Sequence, residues 1–170
     1  MKPHAAAEHQ SSISRSIPHG GHLVDKMLYD DASKSVEMAS CTLEVELDER
    51  QLCDVELLMQ GGFSPLEGYM DEEDYLSVVN NMHLSNGLIF GLPVVYDTND
   101  DNLKVGDKLL LKHQHIPIAT LEITSKYIPN KVQEAMKCYG TTSLEHPAVS
   151  MITTERGKYY CGTFTFISIL

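Results

Sequence analysis

Apolar residues recur three and four apart at Leu52, Val55, Leu58 and Met59, which predicts a helix over about Glu49 to Gln60 with one apolar face. Asp48 is placed to cap its start, and Gln51, three residues on, supplies the reciprocal capping partner. Gly61 ends the helix, because glycine enters the left-handed region without a Cβ clash. Gly62-Phe63-Ser64-Pro65-Leu66 then turns the chain, with Phe63 and Leu66 as anchors. A second helix is capped by Asp71 and carries Tyr75, Val78, Val79 and Met82 on one face.

Elsewhere the period drops to two. Leu43, Val45 and Leu47 alternate with Thr42, Glu44 and Glu46, the pattern of a half-buried strand over Cys41 to Leu47. Leu88 to Tyr96 reads as a strand with Gly91 and Pro93 marking a bulge or edge, after a turn at Ser85-Asn86-Gly87. Asp97 to Asp101 is an acidic loop. Asp107 to Lys112 and Ile116 to Ser125 make a hairpin about His113-Gln114-His115, Asn130 to Tyr139 a helix stopped by Gly140, and Pro147 to Thr153 another helix. Lys158 to Leu170 is a closing strand or strand pair, and Met27 to Ala39 a polar connection with room for a short helix. Strands broken by short helices without βαβ alternation predict an α+β domain on a small mixed or barrel-like sheet.

Composition narrows the function classes. The 170 residues hold 24 acidic against 13 basic side chains, a net charge of -11. Phosphate surfaces are bound by clustered Lys and Arg, so neither nucleic acid nor an anionic membrane is an expected partner. No stretch approaches the roughly 20 apolar residues of a membrane span. Cys41, Cys53, Cys138 and Cys161 form no C-x-x-C pair, and free thiols in a reducing compartment follow. Residues 1–16, polar and rich in Ala and Ser, read as a disordered leader before a domain over 17–170. With only Lys2 and Arg15 as cations the leader makes a poor transit peptide. The expected location is cytoplasmic, with plastid and mitochondrion left open.

Candidate chemistry is sparse. There is no P-loop and no G-x-G-x-x-G. His19-Gly20-Gly21-His22 fits an H-x-G-H nucleotide grip, but no strand leads into it, and a structural turn is the expected role. His113 and His115 lack a third metal ligand nearby. The acidic runs Asp71 to Asp74 and Asp97 to Asp101 lack calcium-loop spacing, which leaves capping and solvated turns. Glu145-His146-Pro147 reads as a loop entering a helix.

Several strings occur together in one order: PHGGHLVD at Pro18, CDVELLMQGGFSPLEGYM at Cys53, LPVVYDT at Leu92, IPIATLEI at Ile116, PNKVQEA at Pro129, YGTTSLEHPAVS at Tyr139 and KYYCG at Lys158. From about Ser16 to Gly162 the chain resembles the N-terminal, PUA-like domain of the ATP sulfurylases (sulfate adenylyltransferases) of the eukaryotic, fungal type. The resemblance implies that catalysis lies in a following nucleotide-binding domain. The family's Q-x-R-N string, histidine pair and glycine-rich loop match no residue here, so no catalytic, cofactor-binding or metal residue is assigned. ATP with Mg2+ is implied as substrate of the complete enzyme only. The implied partners are that catalytic domain, in the same polypeptide or in trans, and further copies in a homo-oligomer. A stand-alone module that modulates an authentic ATP sulfurylase is the alternative, and an RNA-binding module a weaker one.

Two departures stand out. His83 sits in Met82-His83-Leu84 where the resembling sequences generally carry arginine, so an ion pair there becomes pH-dependent or is lost. The tail Thr163 to Leu170 is uncharged and β-prone in place of the family's second glycine. As an unpaired edge it would promote association.

Overall fold

The computed structural model describes residues 17–168, so the leader over 1–16 and the last two residues lie outside the described residues. Helices α1 (Asp31–Ser40), α2 (Glu49–Met59), α3 (Glu72–Asn81), α4 (Lys131–Tyr139) and α5 (Pro147–Ser150) accompany strands β1 (Leu43–Glu46), β2 (Tyr96–Thr98), β3 (Lys108–His113), β4 (Ile116–Tyr127) and β5 (Tyr159–Ser168). The sheet order is β1-β3-β4-β5-β2, with β1 parallel to β3 and every other pair antiparallel. This is the expected α+β arrangement on a mixed sheet. Irregularities at Leu111/Lys112 and at two points along β4 bend the sheet. It curls until its edge strands β1 and β2 line one cleft, but it does not close.

Local chemistry sets the helices as the pattern predicts. Asp48 Oδ1 accepts from Gln51 N at 2.7 Å while Gln51 Oε1 accepts from Asp48 N at 3.3 Å, completing the capping box. Gly61 follows in the left-handed region, with φ 76°. Asp71 and Asn130 cap α3 and α4 by accepting from Asp74 N and Gln133 N, without the reciprocal bond, and Gly140 ends α4 at φ 71°. Val55, Leu58 and Met59 of α2 and Tyr75, Val78 and Val79 of α3 are buried in one core with Leu109, Leu111, Leu121 and Ile123 of the sheet. Tyr75, Tyr127 and Tyr160 pack as a tilted and edge-on trio with ring centroids 5.4 to 6.2 Å apart.

Four expectations change. Residues 88–95 are not a strand: Pro93 has no N–H to donate, Met70 N bonds Val94 O, and Phe90 N bonds back to Met82 O. Only Tyr96 of that stretch enters β2. Met82 is not on the buried face of α3; it is the left-handed residue after it, with φ 58°, and is exposed. Leu43 and Val45 are not fully covered, since β1 is an edge strand of four residues. The tail, finally, is not an unpaired edge: β5 pairs with β4 as far as Ser168 against Ala119.

Candidate functional site

The polar groups that the fold draws inward meet where α2, α3 and α4 approach the ends of β2 and β5. Glu134, 1% exposed, sits on the buried face of α4 beside Ala135. It accepts from Tyr75 Oη at 3.0 Å and from Arg156 Nη1 at 3.3 Å. Arg156 follows the π turn Met151–Glu155 and lies over the Tyr160 ring at 5.6 Å. Its carbonyl takes the Lys131 ammonium at 2.6 Å. Burial raises the Glu134 carboxyl above its ordinary range, and Arg156 opposes that shift.

A second ion pair abuts the first. Arg50 Nη2 pairs with Asp97 Oδ1, and its Nη1 lies 3.3 Å from Asp54. Asp97 Oδ2 accepts from Gly157 N at 2.7 Å, and its carbonyl from Gln51 Nε2 at 3.2 Å. Gln51 thus caps α2 and ties that cap to β2. A Cβ on Gly157 would stand 2.5 Å from Thr98 C and 2.7 Å from Thr98 N, so only glycine fits there. Burial also raises Asp54, again opposed by Arg50.

This constellation ties elements together and offers no seat for a triphosphate. Arg50, Arg156 and Lys131 all bond inward. The 280 Å³ cavity beside the cis Ser64-Pro65 turn is lined by Glu67, Asp71 and Asp74 and by no Lys or Arg, a field that repels phosphate. Glu67 already pairs with Lys26 at 3.1 Å, and Asp74 accepts from Ser85 N at 2.8 Å.

The residues singled out in the sequence take structural places. His19–Gly21 is one exposed turn with Gly20 at φ 74° and Gly21 at φ 82°, and His19 Nε2 lies 2.7 Å from Ile89 O. A Cβ on Gly20 would press on Pro65 at 2.9 Å, so the glycine seats this turn against the proline turn. His113 is not at an open tip: it is 18% exposed, with Nδ1 3.1 Å from Leu47 O and Nε2 3.7 Å from Glu49, whereas His115 is fully in solvent. The two imidazoles serve separate neighbours. Among the described residues no group of three or more His, Cys, Asp and Glu could hold a metal ion.

In the acidic loop the carbonyls of Asp100, Asp101 and Leu103 converge on Lys126 Nζ at 2.7, 3.3 and 2.9 Å. An ammonium of the chain itself stands where a cation-binding loop would place an ion. Asp101 also takes Lys158 at 2.9 Å and Tyr159 Oη at 2.6 Å, and these bonds lower its carboxyl pKa. Glu145-His146-Pro147 enters α5 as a loop, with the His146 ring against Tyr139 at 5.3 Å. His83 joins no ion pair among the described residues; its Nδ1 lies 2.6 Å from Asn81 O. All four cysteines are free, and burial pushes the Cys161 thiol up to about 12.

Residues 16–168 match the PUA-like domain model. The chain belongs to the PUA-like domain family. This PUA-like domain is 43% identical over 125 residues to a sulfate adenylyltransferase of Schizosaccharomyces pombe, covering 70% of the chain and 26% of that protein. It is 39% identical over 153 residues to the Saccharomyces cerevisiae sulfate adenylyltransferase, covering 85% of the chain and 30% of that protein. The Persephonella marina sulfate adenylyltransferase is 33% identical over 150 residues, with 85% and 39% covered. The chain therefore spans roughly a quarter to two fifths of these relatives. Among solved structures, a hexameric APS kinase from Thiobacillus denitrificans superposes with a TM-score of 0.63 at 20% identity, over 89% of this chain and 26% of that one, a likeness of fold.

The sequence missed Arg50–Asp97, Arg156–Glu134 and the Lys126 contacts. Each joins residues more than twenty apart, and no local spacing announces them.

Proposed function

We propose that this PUA-like domain is the N-terminal domain of a sulfate adenylyltransferase, an enzyme that joins ATP and sulfate to adenosine 5'-phosphosulfate and pyrophosphate. It serves there as a packing and assembly unit, and the catalytic residues lie in the rest of the enzyme. The observation that carries this reading is the likeness itself: 33 to 43% identity over most of the chain, confined to a minor share of each relative. The inward commitment of Arg50, Arg156 and Lys131 supports it, because adenylyl transfer needs cations free to face the phosphates. Helix α4 supplies a docking face: it buries Glu134 while Val132 and Met136, with Ile128 just before it, stand in solvent as an apolar stripe of the kind a neighbouring domain covers. A homo-oligomer and a cytosolic location, suited to four free thiols, complete the proposal.

A domain exchange tests it. Residues 17–162 replace the corresponding part of the Saccharomyces cerevisiae enzyme. The chimera is expected to release pyrophosphate from ATP and sulfate, while the 170-residue chain alone releases none. An inactive, unassembled chimera, or turnover by the chain alone, overturns the reading.

A further inference from the structure

The two ends of the sheet face each other. β1 and β2 share a cleft of 320 Å³, floored by Val45, Tyr96 and Leu103 and rimmed by Glu44, Glu46 and Asp100. Both are edge strands. Leu47 donates its N–H to Lys112 O at 2.7 Å with Glu46 opposite Lys112, so the two-residue period commits the N–H and C=O groups of Leu43 and Val45 to β3 and turns those of Glu44 and Glu46 toward the cleft. Backbone groups on such an edge are a template for another strand. The sheet is thus an open barrel whose seam exposes main-chain partners over an apolar floor.

The rim has a sign. Lys112 Nζ holds Glu44 at 2.5 Å, His115 Nδ1 lies 3.8 Å from Glu46, and the Asp100 carboxylate accepts from Asn102 N at 2.8 Å. Three carboxylates therefore face one ammonium. We propose that the seam binds an extended segment of another polypeptide with lysine or arginine at alternate positions, which adds to β1 as a strand. Main-chain bonds to Glu44 and Glu46 hold the segment, its apolar side chains rest on Val45 and Leu103, and its cations meet the carboxylates of Glu44, Glu46 and Asp100. The same carboxylates repel nucleic acid. A second copy, itself at -11, brings the wrong charge. This site is separate from the α4 face and does not depend on the catalytic reading.

The test uses the full ¹⁵N-labelled chain and a short blocked peptide of alternating lysine and valine. Saturable shifts confined to the amides of Leu43–Glu46 and Tyr96–Asp100 are expected, with slowed hydrogen exchange at Glu44 and Glu46 and weaker binding as salt rises. A matching glutamate–valine peptide should not bind. The Glu44→Lys/Glu46→Lys chain, confirmed folded by its own spectrum, should bind the lysine peptide about tenfold more weakly or worse, the effect of reversing rim charges. The proposal is overturned by the absence of localised shifts up to roughly millimolar peptide, by equal binding of both peptides, or by unchanged affinity in the reversed-charge chain. Concentration-dependent shifts at the same amides without peptide would overturn it in favour of self-association.

Discussion

Replacing Arg156 by methionine isolates the most buried charge in the fold. The guanidinium is 9% exposed, and its partner Glu134 1%. Methionine keeps much of the stem's packing over Tyr160 and removes only the cation, which leaves a carboxylate in the core with Tyr75 Oη as its nearest donor. Breaking a buried pair from one side costs about 3–5 kcal/mol. At about 2–4 °C per kcal/mol for a chain of this size, the midpoint should fall by about 6–20 °C. The pH dependence carries the sharper signature. Burial raises Glu134 above its ordinary value of 4.5, and Arg156 is the leading influence holding it down. For an acid raised in the folded state, the stabilising contribution is complete below the unfolded value and is lost as pH rises through the raised one. Without Arg156 the carboxyl rises further, so the variant should approach wild type near pH 4.5 and fall away from it toward neutrality. Urea unfolding at a series of pH values measures the gap. Arg156→Met/Glu134→Gln should recover part of the loss at neutral pH, since the amide still accepts from Tyr75. A loss under about 1 kcal/mol, the worth of an exposed pair, or a gap that does not change with pH, would refute the buried-carboxylate account.

Gly157→Ala should cost at least about 3 kcal/mol, because the new methyl meets backbone atoms of Thr98 that cannot yield; thermal unfolding and loss of the β2–β5 amide pattern report it. Gln51→Ala should cost about 1–2 kcal/mol, for the cap and for the bond to Asp97 O together, and a neutral result in urea unfolding would remove Gln51 from the network. Lys126→Met should free the carbonyls of Asp100, Asp101 and Leu103, read as faster hydrogen exchange confined to that loop. In native protein at about pH 8 a thiol reagent should label exposed Cys53 first and leave Cys161, whose thiol is buried and raised to about 12, until the chain unfolds.

What could be read from the sequence is what is local. The Asp48–Gln51 capping box lies within one helical turn, so residue types and spacing suffice to place it. The same holds for the Asp71 cap and the stop at Gly140. The stretch from Leu88 to Tyr96 misled because its alternation is that of a strand, while Phe90 N turns back to Met82 O and Val94 O is claimed by Met70 N, 24 residues away. Glu134 was least legible. A glutamate in an amphipathic helix is ordinarily on the wet face, and only the approach of Tyr75 and Arg156 makes its burial tolerable. His113 is a similar case, drawn partly under cover by Leu47 O.

The pattern of these misses bears on function. Arg50, Lys126, Lys131 and Arg156 come from four different segments, and each bonds acceptors within the fold, although the buried Arg156 Nε finds none among the described residues. Had two of them converged on a cavity with unfilled donors, the chain could hold phosphates by itself. Instead the 280 Å³ cavity is acidic, and so is the rim of the seam between β1 and β2. On the proposed reading, the domain's value to an enzyme that activates sulfate lies in the faces it holds fixed, the α4 stripe above all, and the substrate-facing cations must come from the remainder of the enzyme.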